Sequence, residues 1–183
     1  HCMINFELIN LPIPKRVNNN ILNYLGTKKW SFVNDRDEDE KNLLSNIVRD
    51  IDKKDAGQAI ITYNKLHPNP EVDQDNILNF FGDLIFASIQ EKTKFKVKEV
   101  SRVYWNLYSK SSSCLYHQDD KSIDKYMSAV YNLHTNDGGT MIEDKFIPAV
   151  ESQAILFKSE IMHKGMPPKN DNLRLSLNIV MEL

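Results

Sequence analysis

Hydrophobic positions along this chain fall into two rhythms. From about Lys15 to Thr93 they recur every three or four residues, the period of an amphipathic helix. "RVNNNILNYLGTKKW" carries an asparagine-rich cap region, then Ile21, Leu22 and Leu25 at helical spacing, and Gly26 as a stop. "DEDEKNLLSNIVRDIDKK" begins with acids and ends with bases, as the helix dipole favours, with Leu43, Leu44, Ile47, Val48 and Ile51 on one stripe. Its acidic stretch from Asp35 to Glu40 is a solvated helix start. The longest element, "DQDNILNFFGDLIFASIQEKT", opens on Asp73 or Asp75 and is apolar from Ile77 to Ile89. Pro68 and Pro70 set a loop, "HPNPEVD", between the last two elements.

From Phe95 onward the period shortens to two. "FKVKEVSRVYWNLYS" alternates and is rich in β-branched and aromatic residues. "YMSAVYNLH" alternates again and meets "TNDGGT", a strong turn signal through Asn136, Asp137, Gly138 and Gly139. "TMIEDKFIPAV", "SQAILFKS" and "LRLSLNIVMEL" are three more short strands. Strands separated by turns, with no helices between them, predict an antiparallel sandwich or barrel. Helices first and strands afterwards make an α+β chain in which the helices cover a sheet. The 183 residues form one domain on this reading, with helical support over about 15–93 and a strand-rich core over about 94–183.

Composition narrows the classes. An apolar fraction of 41% and a charged fraction of 26% are ordinary for a soluble globular protein. A net charge of −2 gives no global field to recruit nucleic acid or an anionic membrane. Of two cysteines, Cys2 precedes Met3 and is read with His1 as an appended remnant. Cys114 then stands alone, which excludes a disulfide framework and points to a reducing compartment. "MINFELINLPIPKR" lacks the order of a signal peptide, and no apolar run is long enough to span a bilayer. A soluble, cytoplasmic protein is the expectation.

The candidate chemistry lies in "SSSCLYHQDDKS". His117 and Asp119 are two residues apart, so on extended backbone both side chains face the same way. His163, just before Gly165 and the Pro167–Pro168 turn, offers a third donor. Eleven residues later Arg174 opens the last strand and shares a face with Ser176, an unusual guanidinium in an otherwise apolar strand. Two histidines and a carboxylate form the facial triad of non-haem Fe(II) oxygenases. That triad leaves room for a bidentate 2-oxo acid and dioxygen. The far carboxylate of the keto acid then needs a fixed cation, and a guanidinium fork assisted by a hydroxyl suits it.

Together these residues resemble the signature of the 2-oxoglutarate- and Fe(II)-dependent oxygenase superfamily. His-x-Asp stands as His117-Gln118-Asp119, the distant histidine as His163, and Arg-x-Ser as Arg174-Leu175-Ser176. "AVYNLHTNDGGT" and "FKSEIMHKGMPP…LRLSLNI" resemble the prolyl-4-hydroxylase-like branch, in its small bacterial and phage form. The likeness runs from about Arg102 to the C-terminus. It implies a double-stranded β-helix, or jelly roll, with the N-terminal helices packed on one sheet. It implies metal ligation by His117, Asp119 and His163, and co-substrate anchoring by Arg174 and Ser176. It implies Fe(II) and 2-oxoglutarate, with ascorbate as an optional addition, in a bacterial or phage-infected cell. The reaction would hydroxylate a C–H bond of a peptidyl or free amino-acid substrate and release succinate and carbon dioxide. Asn106 and Tyr108 share a face on the strand leading to His117 and match co-substrate contacts of related enzymes. Where relatives carry a tyrosine before the leucine of "YNLH", this chain has Asn132. Either Asn132 or Tyr131 lines the co-substrate pocket on this reading, with Tyr108 as the source of the missing hydroxyl.

Three rivals use the same residues. An oxidative nucleic-acid demethylase is disfavoured by the charge and by the lack of a basic or aromatic recognition segment. A non-redox jelly-roll module binding metal or sugar has no need of Arg174-x-Ser. A zinc hydrolase on this triad would turn over without dioxygen. The remaining polar residues take structural readings. Asp120 caps the following turn, His134 ends a strand near the surface, His67 sits in a loop, and Arg102 pairs with an acid across the sheet. Trp30 and Trp105 line a core or pocket wall. Cys114 and its serines form a lip over the site or a loose hairpin. No helix follows Gly138 and Gly139, so they cradle no phosphate.

Overall fold

The computed structural model describes residues 6–28, 30–32, 57–64, 75–110, 112, 115–171 and 173–183, with backbone alone at 31–32 and 57–64. The second helical segment, with its stripe from Leu43 to Ile51, lies outside these residues, as do His67, Pro68, Pro70, Cys114 and the His1–Cys2 pair.

Ten strands and two helices are described. A seven-stranded antiparallel sheet has the order β1-β8-β5-β10-β4-β3-β2, and a three-stranded sheet has the order β7-β6-β9. The large sheet is built from β1 (Phe6–Asn10), β2 (Ser31–Phe32), β3 (Gly57–Asn64), β4 (Glu99–Ser109), β5 (Tyr126–Asn132), β8 (Gln153–Lys158) and β10 (Leu173–Glu182). The small sheet holds β6 (Asn136–Ile142), β7 (Lys145–Ala149) and β9 (His163–Met166). The helices are α1 (Lys15–Leu25) and α2 (Asn76–Lys92). None of the described helices is long and apolar enough to cross a membrane.

Period two gives the large sheet two different faces. One carries Val103, Trp105, Ala129, Tyr131, Leu156, Leu177 and Ile179, packed with Ile21 and Leu25 of α1 and Leu78, Ile85 and Ile89 of α2. The opposite face meets the small sheet through Val130, Ile155 and Phe157 against Ile142 and Ile147. Helices on one face of the large sheet and strands on the other make the α+β architecture that the hydrophobic pattern predicts.

Four local expectations change. The stretch 15–93 is not helical throughout, because β2 and β3 interrupt it and extend the large sheet, while β1 adds its other edge strand. The asparagines of α1 do not cap it: Pro14 is the cap residue, and Asn18 is buried inside the helix. Its amide donates to Ser152 Oγ at 2.9 Å, and its carbonyl accepts from Tyr131 Oη at 2.7 Å. "TNDGGT" is not a turn but the start of β6, and "TMIEDKFIPAV" is a hairpin whose turn is Glu143–Asp144. Glu143 takes the left-handed conformation there (φ 52°), a position that usually signals itself by glycine or asparagine. The glycines of β6 serve close approach instead. A Cβ on Gly139 would run into Ile147 O and the Phe146 ring, and one on Gly138 would lie 2.7 Å from Met166 O.

Candidate metal centre

The three candidate ligands converge. Donor atoms of His117, Asp119 and His163 lie within 4.8 Å of one another. His117 Nε2 is 3.7 Å from Asp119 Oδ1, and His163 Nε2 is 3.5 Å from Asp119 Oδ2. Backbone pairing sets this geometry. His117 and His163 form an antiparallel bridge, each N–H donating to the other's carbonyl at 2.9 Å. Their rings consequently sit 4.3 Å apart, tilted by 53°.

The same local backbone fixes the tautomers. His117 Nδ1 lies 3.1 Å from Leu115 O, and His163 Nδ1 lies 2.9 Å from Ile161 O. A carbonyl only accepts, so each Nδ1 carries the hydrogen and each Nε2 keeps its lone pair for a cation. Burial pushes the His163 imidazole down, against the pull of Asp119. For Asp119 burial acts the other way, yet the net direction is the same. Burial pushes its carboxyl up, but His163, His117 and Arg102 outweigh that and hold it well below the usual carboxylate range. Asp119 is therefore ionised, and both its oxygens are held: Arg102 Nη2 donates to Oδ1 at 2.9 Å and Ser128 Oγ to Oδ2 at 2.6 Å. Asp120 points elsewhere and accepts from Ser122 N at 2.7 Å, the turn-capping role expected of it.

Arg174 lies on the same side of the large sheet. Ser176 pairs laterally with Asn106 on β4 and with Asn132 on β5, and Arg174 pairs with Tyr108. Ser128 and Asn132 share a face of β5, so the row beside Asp119 continues to Arg174. The guanidinium is fully buried, donates to Gly139 O and to Thr140 Oγ1 (3.0 Å), and stands 4.9 Å over the Tyr108 ring. The Asn132 amide and the Ser176 hydroxyl are buried and have no hydrogen-bond partner among the described residues. Buried polar groups left unmatched by protein are a seat for a polar ligand. That chemistry fits a keto acid whose anionic end meets Arg174.

Tyr131 does not line this space. It points into the helix-facing core and bonds to Asn18, which leaves Asn132 as the residue on the site face. Trp105 is fully buried in that same core, and Trp30 packs at its margin. His134 is half-buried rather than superficial, and its Nε2 accepts from Leu175 N at 3.2 Å, extending the β5–β10 pairing by one side chain. Arg102 does pair with an acid, and the acid is Asp119 itself. Sequence reasoning missed Ser128, Thr140, Tyr104 and Asn178. Asn178 donates to Tyr104 Oη at 2.7 Å. Both were reachable by extending the i, i+2 rule from Ser176 and from Asn106.

No protein-family model matches the chain, and none of the curated proteins matches it in sequence. Solved structures do match in fold. HygX from Streptomyces hygroscopicus, crystallised with nickel and 2-oxoglutarate, aligns with a TM-score of 0.63 at 10% identity, over 97% of this chain and 82% of its own. A second HygX structure also holds hygromycin B. The viral collagen prolyl hydroxylase of Paramecium Bursaria Chlorella virus-1, in its 2-oxoglutarate complex, gives 0.54 at 14% identity over 98% and 97%. An oxidoreductase of the 2OG-Fe(II) oxygenase family from Burkholderia pseudomallei gives 0.62 at 15% identity over 98% and 85%. The chain has the jelly-roll fold of these proteins.

Proposed function

We propose that this protein is an Fe(II)- and 2-oxoglutarate-dependent dioxygenase that hydroxylates a C–H bond of a peptidyl or free amino-acid substrate. The observation that carries the reading is the meeting of His117, Asp119 and His163 in the inter-sheet space that also holds the buried guanidinium of Arg174. Two imidazole nitrogens and one carboxylate suit iron(II) and leave coordination positions free. When bound, the ion and the keto acid supply the oxidising power that places one atom of dioxygen in a C–H bond, with succinate and carbon dioxide as co-products.

The chain's own residues bind, orient and exclude water. Arg174 takes the far carboxylate of the keto acid, with Ser176 Oγ and the Asn132 amide as further partners. Tyr108 and Asn106 flank them on the neighbouring strand β4. Thr140 and the Gly139 carbonyl already fix the guanidinium, so little side-chain freedom is lost on binding. Val130, Ile155 and Phe157 keep the site's inner wall apolar, which excludes water and strengthens the polar contacts made there. The likeness to a collagen prolyl hydroxylase supports a peptidyl substrate. The hygromycin B held by HygX favours a small molecule as the second reading.

The test is anaerobic addition of Fe(II) and 2-oxoglutarate, followed by visible absorption. A weak charge-transfer band should appear in the wild type and be absent from His163→Ala. Succinate should form in air and not under argon. Succinate release without dioxygen, or a band that survives His163→Ala, would overturn the assignment.

A further inference from the structure

Arg102 is a largely buried charge that binding and orienting the keto acid leave unused. It sits on β4, its side chain 15% exposed, and spans from Asp119 Oδ1 (2.9 Å) to the main-chain carbonyl of the same residue (3.4 Å). The Tyr104 ring lies beneath it at 5.2 Å. Its partner carboxylate is 1% exposed, so a strong opposite charge has to compensate the lost hydration.

From this geometry we propose that Arg102 is a positioning residue acting through Asp119: a resident counter-ion that competes with the metal and sets its affinity. The proposal rests on the metal-binding reading above. Two effects of a guanidinium on a ligand carboxylate oppose each other. It orients the carboxylate, which favours metal binding, and it repels a divalent cation a few ångströms away, which disfavours it. Orientation has other supports here. Ser128 Oγ holds Oδ2 at 2.6 Å, Ser159 backs Ser128 at 2.8 Å, and Asp119 N donates to Ser159 O at 3.0 Å. The guanidinium is the one cationic side chain paired with Asp119 among the described residues, histidines aside. Charge therefore decides the sign. Arg102 stabilises the buried carboxylate when no cation is bound and weakens the hold on a cation when one is. By linkage, the same coupling makes metal stabilise the fold less than it would without Arg102.

Cobalt(II) titration of the full chain, read by visible absorption and by thermal melting, tests this without turnover. Wild-type binding that is lost in His163→Ala tests the site itself, separately from Arg102. Arg102→Met should bind cobalt(II) about tenfold or more tightly than wild type, and gain more melting temperature from the metal. Equal or weaker binding by Arg102→Met overturns the proposal. Arg102→Lys keeps the charge and loses the fork, and should retain wild-type affinity. If Arg102→Met folds only with cobalt present, the Lys variant decides: affinity lost there would mean that fork geometry, not charge, is what Asp119 needs.

Discussion

Position 165 has no room for a side chain where the Tyr108 ring stands. A Cβ there would lie 2.5 Å from the Tyr108 hydroxyl, two residues along β9 from His163. Gly165→Ala must displace the tyrosine or the strand, and overpacking of this kind costs about 1–3 kcal/mol. On the proposed function the damage falls on the keto acid. Calorimetric titration should find weaker 2-oxoglutarate binding alongside a lower melting temperature. At this scale much was legible. His117 and Asp119, and Arg174 and Ser176, declared a shared face by their spacing alone. Ser128 and Thr140 were not legible, because small hydroxyl residues in strands are common and nothing in their spacing points to their partners, Asp119 and Arg174.

At the level of elements, the start of α2 gathers several stabilising contacts on one carboxylate. Asp75 accepts from Ile77 N and Leu78 N as the N-cap, takes the Tyr24 hydroxyl at 2.8 Å, and pairs with Lys28 Nζ at 2.6 Å. Burial pushes its carboxyl up, but these donors outweigh it and bring its pKa down to about 2 from 3.8. A lowered folded-state value means that the stabilisation is complete above about pH 4 and is lost as pH falls through 2. Asp75→Ala should cost about 1 kcal/mol at neutral pH by urea denaturation, and its gap from wild type should shrink towards pH 2. The sequence offered Asp73 or Asp75 as the opening, and the hydrogen bonds select the second. The strand at Gly57–Asn64 was hidden in a stretch whose spacing reads helical, although the β-branched run Ile60, Ile61, Thr62 was its signal.

Seen whole, one sheet serves two unlike compartments, and neighbours in sequence belong to different ones. Leu156 packs toward the helices, while Phe157 packs toward the small sheet with its ring 4.5 Å from His163. Truncating either to alanine should cost about 2–5 kcal/mol, measured by denaturant unfolding. On the proposed function only Phe157→Ala should also weaken cobalt(II) binding, since it alone removes packing from the ring of a candidate ligand. The order of helices and strands foretold a covered sheet, yet no periodicity could reveal which long-range strands would bring His117 to His163. That pairing has its own consequence. Because the two histidines exchange main-chain bonds, the spacing at the centre belongs to the scaffold and not to the imidazoles. Whatever side chains stand at 117 and 163 will present themselves to the same point, so on the proposed function the donor set can be rewritten, and a different ion chosen, on an unaltered frame.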